Sequence, residues 1–220
     1  MLFLHGYLSS KEAFNAQIAY FSQFYRVTAI DFLGFGKSGP LKSAFSVADY
    51  AAWTKEVIEL LGVKNPHIVA HSFGCRVAVK MASTHKTAFD KLVLTGPAGV
   101  ILKRGLSYRF KVGLYRFVKR FAPRFAERRF GSAEYRSLPP LMKESYKKIV
   151  NEDLRECAKG VLREVLLVEG KADKTTPLAE AEAYLRAFPY AKLVQTEGGH
   201  FAFAENPVAF NLIVEEFLYG

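Results

Sequence analysis

The chain has 220 residues and a formal net charge of +10, with half of its residues hydrophobic and 24% charged. This length and composition are typical of a soluble protein with one globular domain. No apolar run is long enough to cross a bilayer, and the opening Met1–Gly6 segment lacks the basic start of a signal peptide. Two cysteines, Cys75 and Cys157, form neither a disulfide framework nor a zinc pattern, a usage that fits the reducing cytosol. We therefore expect a cytoplasmic protein without a transmembrane segment.

The positive charge is concentrated in one segment of the chain. Residues 101–136 contain eleven lysines or arginines and two acids, which gives this segment a net charge of +9 and leaves +1 for the rest. The basic character therefore belongs to one insert and is not a property of the whole protein.

The predicted secondary structure alternates between short apolar runs and longer amphipathic stretches, which is the pattern of a parallel sheet with crossover helices. Most of the runs are apolar without alternation, as expected for strands that are buried on both faces. Six strands are predicted, at Leu2–Leu4, Arg26–Asp31, His67–His71, Lys91–Leu94, Val165–Glu169 and Lys192–Thr196. We expect an α/β fold with one mostly parallel sheet.

Cap signals predict three of the helices, over residues 46–61, 177–188 and 206–220. The first has Ser46 and Asp49 as its N-terminal cap and Gly62 as its terminator. The other two begin at Pro177 and at Asn206-Pro207, because proline is favoured at the first position of a helix.

The stretch of residues 100–160 breaks the alternation and is rich in Arg, Lys, Phe and Tyr, which predicts two to four helices inserted between consecutive strands. One apolar stripe at helical spacing lies within it, formed by Phe110, Leu114, Phe117 and Phe121. We expect residues 1–99 and 161–220 to form the core, and residues 100–160 to form a basic helical lid over the carboxyl ends of the strands.

The strongest functional signal is the segment His67–Gly74, in which an apolar strand leads into Ser72 and then into a helical segment over residues 75–82. Small residues flank the serine two positions before and after it, at Ala70 and Gly74. This arrangement resembles the G-x-S-x-G nucleophile elbow of α/β-hydrolases, with alanine in place of the first glycine. In such an elbow the two small residues approach each other, and a strained turn lifts the serine hydroxyl clear.

A serine hydroxyl needs a base that removes its proton and a third group that orients the base. The α/β-hydrolase order is serine, acid, histidine, and this chain supplies Asp173 just past the fifth predicted strand and His200 in the loop after the last one. The fourth strand is followed by Thr95-Gly96-Pro97, so the acid position that some relatives use there holds no carboxylate. We therefore predict Ser72 as the nucleophile, His200 as the general base and Asp173 as its orienting acid.

Reaction at a carbonyl also needs hydrogen-bond donors for the developing oxyanion. The segment Leu4-His5-Gly6-Tyr7 follows the first strand and looks like the H-G-x oxyanion loop of the same superfamily. The expected donors are the backbone N–H groups of Tyr7 and Phe73, and His5 is expected to brace the loop.

Five motifs, H-G-Y, D-F-L-G-F-G-K-S, A-H-S-F-G, G-K-A-D and G-G-H-F, span nearly the whole chain in the order of the α/β-hydrolase superfamily. The second motif lacks the spacing of a phosphate-binding or dinucleotide loop and is similar to a hydrolase loop that an aspartate, here Asp31, braces. The chain resembles the lidded, esterase-like bacterial members, which include carbon–carbon bond hydrolases. This resemblance implies acyl transfer without a metal or a cofactor, and the serine at the nucleophile position argues against the haloalkane dehalogenase and epoxide hydrolase branches.

One departure from the family pattern concerns the start of the chain. Most relatives carry two further strands before the H-G strand, and this chain begins at that strand. The predicted strand Arg26–Asp31 is then expected to be an open sheet edge, which favours pairing with another strand. Two explanations for the absence of these two strands stay open: the start of the sequence is misassigned, or the protein is a short form whose sheet edge is covered by a partner. Formation of a homo-oligomer is a further open alternative.

The apolar stripe of the predicted lid has two interpretations. In the first it packs over the sheet while the basic residues form a solvated face, and in the second the lid recognises an anionic or lipid-like substrate. No binding motif accompanies the charge, so we expect no nucleic-acid partner.

The predicted activity is hydrolysis of a carboxylic ester, thioester or similar small acyl substrate. The alternatives are carbon–carbon bond hydrolysis by the same residues and a slow, hydrolase-like ligand receptor.

Overall fold

One parallel sheet of six strands organises the part of the chain that the structure describes. The computed structural model describes residues 1–86, 88–102, 135 and 137–220. The strands are β1 (Leu2–Leu4), β2 (Thr28–Ile30), β3 (Ile68–His71), β4 (Leu92–Thr95), β5 (Val165–Gly170) and β6 (Ala191–Thr196). Their order across the sheet is β2-β1-β3-β4-β5-β6, and every neighbouring pair is parallel. All six predicted strands are confirmed, with small differences at their ends.

Helices connect these strands. Those in the described residues are a 3-10 helix at Lys11–Phe14 and the α-helices α1 (Asn15–Phe21), α2 (Val47–Leu60), α3 (Phe73–Thr84), α4 (Pro140–Val150), α5 (Arg155–Lys159), α6 (Leu178–Ala187), α7 (Ala202–Glu205) and α8 (Pro207–Tyr219). The predicted cap of α2 is confirmed, because Asp49 N donates to Ser46 Oγ at 3.3 Å and Ser46 N donates to Asp49 Oδ2 at 2.7 Å. The predicted helices over residues 177–188 and 206–220 correspond to α6 and α8.

Alternation along the strands divides the core into two layers. Leu2 and Leu4 of β1 belong to the layer that includes Tyr50 of α2. Phe3, between them in the chain, belongs to the opposite layer, which includes Phe210 of α8. Burying a large apolar side chain contributes about 1.5–3 kcal/mol. Packing therefore holds the sheet from both sides and fixes the positions of its strand ends.

Strand β2 has one neighbour, β1, among the described strands, and so lies at an edge of the sheet. This is the position predicted for the strand Arg26–Asp31.

Part of the predicted lid lies outside the described residues. The stripe of Phe110, Leu114, Phe117 and Phe121 and most of the basic segment fall in residues 103–134, which are not among those described. The part of residues 100–160 that the structure describes contains helices α4 and α5. Arg76 of α3 connects this part to the core by two hydrogen bonds. Arg76 Nη1 donates hydrogen bonds of 3.0 Å to the carbonyl oxygens of Ile149 and Glu152. The division into core and lid stays a prediction.

Candidate active site

Ser72 lies between the last residue of β3 and the first residue of α3, in a backbone conformation that non-glycine residues rarely adopt. Its φ is +50° and its ψ is −109°. Such a conformation costs about 1–3 kcal/mol and persists only where the surrounding structure imposes it. Here the strand before the serine and the helix after it are both buried, so packing on both sides maintains the turn. The strained turn expected of a nucleophile elbow is present at this serine.

Gly74 allows α3 to begin directly against β1. A β-carbon at Gly74 would lie 2.3 Å from the carbonyl oxygen of Leu4 and 2.9 Å from that of His5, which no side chain tolerates. The atoms nearest to such a β-carbon belong to the backbone at the end of β1 and the residue after it, so this contact alone requires a glycine at position 74. The close approach of Gly74 to Ala70, which the elbow pattern predicts, stays a prediction.

Asp173 and His200 form a hydrogen-bonded pair at the carboxyl ends of β5 and β6. The Nδ1 atom of His200 lies 2.7 Å from Oδ2 of Asp173. Because an ionised carboxylate only accepts hydrogen bonds, Nδ1 carries the proton and Nε2 is the free ring nitrogen of the neutral imidazole. This is the tautomer in which a histidine can accept a proton at Nε2.

The Asp173 carboxylate is held by three further donors. Its Oδ1 accepts hydrogen bonds from the backbone N–H groups of Thr175 at 2.7 Å and Thr176 at 3.1 Å, and its Oδ2 accepts one from the Thr176 hydroxyl at 2.8 Å. Burial raises the pKa of Asp173, but the hydrogen bonds from His200 and Thr176 outweigh it and lower the pKa to about 2. The carboxylate is therefore ionised and fixed at neutral pH.

A hydrogen bond from His71, the last residue of β3 and the neighbour of Ser72, links this strand end to His200. His71 donates from Nε2 to the backbone carbonyl of His200 at 2.9 Å, and the two imidazole centroids are 4.7 Å apart. Within the described residues, His200 hydrogen-bonds to Asp173, Thr176 and His71, and not to Ser72. The hydrogen bond between a serine and its base often forms only when substrate is bound.

The loop that carries the predicted oxyanion donors passes beside Ser72. A β-carbon added to Gly6 would lie 3.5 Å from Ser72 Cβ, and the rings of Tyr7 and Phe73 meet edge to face with centroids 5.6 Å apart. Phe73 is the first residue of α3, where a backbone N–H has no partner within the helix. In the described part of the chain, the N–H groups of Tyr7 and Phe73 have no protein acceptor. The two groups are thus unpaired next to the serine, as oxyanion donors must be.

Two predicted braces are confirmed. His5 is fully buried; its Nδ1 donates to the carbonyl of Gly6 at 2.7 Å and its Nε2 accepts from the N–H of Phe32 at 3.1 Å. Asp31 accepts hydrogen bonds from the backbone N–H groups of Lys11 at 2.7 Å and Lys37 at 2.9 Å. Both side chains are committed to loop structure.

The described residues contain no group of three or more His, Cys, Asp or Glu side chains that could hold a metal ion. Over those same ranges, no helix is long and apolar enough to span a membrane.

Two family models together match most of the chain. The first, described as the alpha/beta hydrolase fold, matches residues 1–138, and the second, described as TAP-like protein, matches residues 146–220. The chain belongs to the α/β-hydrolase family.

The α/β-hydrolase relatives are named for different hydrolytic activities. The chain is 36% identical over 103 residues to the probable lysophospholipase BODYGUARD 3 of Arabidopsis thaliana, a match that covers 44% of this chain and spans 21% of that protein. It is 28% identical over 223 residues to the 2-hydroxymuconate semialdehyde hydrolase of Pseudomonas putida, covering 90% of this chain and 78% of that protein. Among solved structures, an esterase from Exiguobacterium antarcticum superposes with a TM-score of 0.78 at 23% identity, covering 100% of this chain and 91% of that one.

Several residues of this α/β-hydrolase site were not found from the sequence. Thr176 follows Asp173 by three residues, and such a spacing is a recognisable signal for a side chain that bonds a turn aspartate. Glu205 accepts a hydrogen bond from the N–H of Gly199 at 2.7 Å and so holds the loop of His200. The sequence places His71 at the end of a predicted strand, but no local pattern indicates that its ring reaches His200.

A further residue beside the site, Glu169, places a carboxyl group within an otherwise apolar strand. It is fully buried in β5, and within the described residues neither of its carboxyl oxygens has a hydrogen-bond donor. Burial and, after it, the neighbouring Asp173 raise the pKa of Glu169 to about 8. Its carboxyl is therefore mostly protonated at neutral pH, which avoids a second negative charge beside Asp173.

Proposed function

We propose that this chain is a serine hydrolase that cleaves a carboxylic ester or a related small acyl substrate. The observation that carries the proposal is the Asp173–His200 pair, whose histidine accepts a hydrogen bond at its backbone carbonyl from His71, the residue before the strained Ser72. A serine hydroxyl, a histidine whose Nε2 can accept a proton and an ionised carboxylate that orients this histidine are the three groups that acyl transfer by a serine requires. The α/β-hydrolase relatives support the same class of reaction.

The proposed reaction has two half-reactions. The hydroxyl oxygen of Ser72 attacks the substrate carbonyl while His200 Nε2 takes its proton, and Asp173 stabilises the imidazolium that forms. The oxyanion of the tetrahedral intermediate accepts hydrogen bonds from the N–H groups of Tyr7 and Phe73. The intermediate collapses when the leaving oxygen takes the proton from His200, which releases the alcohol and leaves an acyl group on Ser72. Water, activated by His200, then repeats the sequence and releases the acid.

The second candidate is cleavage of a carbon–carbon bond in a vinylogous diketone by the same residues. It is favoured by the match over 90% of this chain to a 2-hydroxymuconate semialdehyde hydrolase. A slow ligand receptor built on the same fold is the remaining alternative. For either hydrolase, residues 100–160 are proposed as the lid that closes the substrate pocket, and its basic residues as the part that faces an anionic or lipid-like substrate.

Labelling by a fluorophosphonate tests the nucleophile. We expect the wild type and an exposed-serine control, Ser22→Ala, to be labelled equally, and Ser72→Ala to be unlabelled. Labelling that survives in Ser72→Ala would overturn the assignment.

Turnover tests the substrate class. We expect hydrolysis of p-nitrophenyl esters over a limited range of acyl lengths, with Ser72→Ala inactive. Labelling of Ser72 without turnover of any ester, together with turnover of a vinylogous diketone, would favour the carbon–carbon reaction. Labelling without turnover of either substrate would favour the receptor.

A further inference from the structure

The imidazole of His71 contacts three separate parts of the candidate site. The backbone of His71 is joined to Ser72, its ring atom Nε2 lies 2.9 Å from the carbonyl oxygen of His200, and its Nδ1 lies 2.7 Å from the position of a β-carbon added to Gly6. The nucleophile, the base and the oxyanion loop therefore meet at one side chain. His71 is 1% exposed, so water does not compete for these contacts.

The chemistry of the contact with His200 fixes the state of the His71 ring. A carbonyl oxygen only accepts hydrogen bonds, so Nε2 of His71 must carry the proton. Burial and then the nearby His200 lower the pKa of His71 to about 3, while Asp173 and the hydrogen bond to the His200 carbonyl oppose this shift and His5 adds to it. The ring is therefore neutral at neutral pH, and Nε2–H is its only donor.

Aromatic side chains keep the ring of His71 from turning. Phe201 and Phe203 lie against it, each with a centroid distance of 4.8 Å, and both belong to the segment that follows His200. The contact thus consists of one directed hydrogen bond to residue 200 and packing against residues 201 and 203. Together these fix the main chain of the base relative to the strand that ends at Ser72.

We propose that His71 is a positioning residue that sets the distance between Ser72 and His200, by donating a hydrogen bond from Nε2 to the carbonyl oxygen of His200. This inference rests on the proposed function, since it assigns His71 a role in a serine hydrolase reaction. His71 takes no part in proton transfer, because its one proton is committed to the carbonyl and Nδ1 has no donor within the described residues.

Two amide substitutions separate this role from simple core packing. In His71→Gln the amide nitrogen occupies the place of Nε2 and still reaches the His200 carbonyl, whereas in His71→Asn it occupies the place of Nδ1 and falls short. Both remove the aromatic ring and both keep a neutral polar side chain. A role in packing alone would lower the thermal stability of the two variants alike and leave kcat similar in both.

We expect His71→Asn to lower kcat by about 10- to 100-fold, because a misplacement of about 1 Å costs up to about 100-fold in rate. The KM should change little, since the side chain of His71 is buried. The rate of fluorophosphonate labelling should fall in proportion to kcat. His71→Gln should retain kcat within about threefold of the wild type. Equal kcat values for the two folded variants would overturn the proposal.

A spectroscopic measurement keeps this test independent of turnover. The proton between His200 Nδ1 and Asp173 gives a low-field proton NMR signal, which we expect in the wild type and in His71→Gln and expect to broaden in His71→Asn. If the wild type neither reacts with fluorophosphonate nor turns over a substrate, the proposed function fails, while this signal still decides whether His71 positions His200. A sharp, unshifted signal in His71→Asn would overturn the positioning role.

Discussion

Gly6 lies against the imidazole of His71, and a β-carbon added at Gly6 would come within 2.7 Å of Nδ1 and 3.1 Å of Cε1. Neither partner can yield easily, because the ring of His71 is buried and hydrogen-bonded to His200. The glycine of the H-G motif is thus required by a close approach to the residue before the nucleophile.

This contact predicts the effect of Gly6→Ala. The added methyl group must displace either the ring of His71 or the loop that carries the N–H of Tyr7, and we expect kcat/KM for an ester substrate to fall by at least about 100-fold. Gly39→Ala is the matched control, since a β-carbon at Gly39 has no atom within 4 Å. A Gly6→Ala variant as active as the control would show that the loop relaxes without affecting the site.

Replacing the acid of the pair tests the tautomer of His200. In Asp173→Asn the amide no longer holds the proton on Nδ1, so Nε2 is protonated in part of the molecules and cannot act as a base. We expect kcat to fall by about 10⁴-fold, the size seen when the orienting acid of a serine triad is replaced by its amide. Steady-state kinetics should be compared with Asp90→Asn, a control at the opposite end of the sheet. A loss of less than about tenfold would contradict the assignment of Asp173.

The buried carboxyl of Glu169 predicts a pH-dependent stability. The pKa of Glu169 in the folded protein is raised to about 8 from an ordinary value of 4.5, so folding favours its protonated form. Its stabilising contribution is complete below about pH 4.5 and is lost as the pH rises towards 8, by at most about 1.4 kcal/mol for each pH unit.

Glu169→Gln removes this ionisation and should therefore unfold at higher denaturant concentration than the wild type at pH 8, with a difference that shrinks towards pH 4.5. Glu164→Gln is the control, because Glu164 precedes β5 at the other end of the sheet, is exposed and pairs with Lys91. Parallel stability curves for wild type and Glu169→Gln between pH 4.5 and 8 would mean that Glu169 is ionised in the folded protein.

The hydrogen bonds of Arg76 predict a stability effect between α3 and α4. Its buried guanidinium donates to the carbonyls of Ile149 and Glu152, and hydrogen bonds from a charged group contribute about 1.5–3 kcal/mol each. We expect Arg76→Met to lower the free energy of unfolding by about 2–4 kcal/mol. Arg155→Met, which removes an exposed ion pair with Asp153, should cost less than about 1 kcal/mol. Chemical denaturation measures both, and similar losses would show that Arg76 is a solvated surface cation.

The fold was predictable because strands that are buried on both faces consist of continuous apolar runs, which are easily recognised in the sequence. Leu2–Leu4 and Val165–Gly170 are uninterrupted or nearly uninterrupted apolar runs, and helix α2 carries its capping box in Ser46 and Asp49. The loops that hold Asp173 and His200 follow such strands directly. Their positions could therefore be read from order along the chain.

The contacts that assemble the site were not predictable in the same way. His71 and His200 are 129 residues apart, and whether the ring of one reaches the carbonyl of the other depends on how two loops pack. Glu169 is a single carboxylate in an apolar run, and its protonation follows from burial beside Asp173. The roles of Ser72, Asp173, His200, Tyr7 and Phe73 stay predictions until the labelling and kinetic experiments are done.

The pairing of β5 with β6 determines where insertions can occur without altering the spacing of Asp173 and His200. Gly170 pairs with Thr196 at the end of these two strands, and Asp173 and His200 follow these two residues within a few positions. Their separation in space is therefore set by lateral pairing, although Asp173 and His200 are 27 positions apart in the chain. The carbonyl of Tyr190 accepts a hydrogen bond from Val165 N at 2.9 Å and belongs to this pairing. Extra residues inserted before it, at the exposed Pro189, would lengthen the connection while the acid and the base keep their spacing.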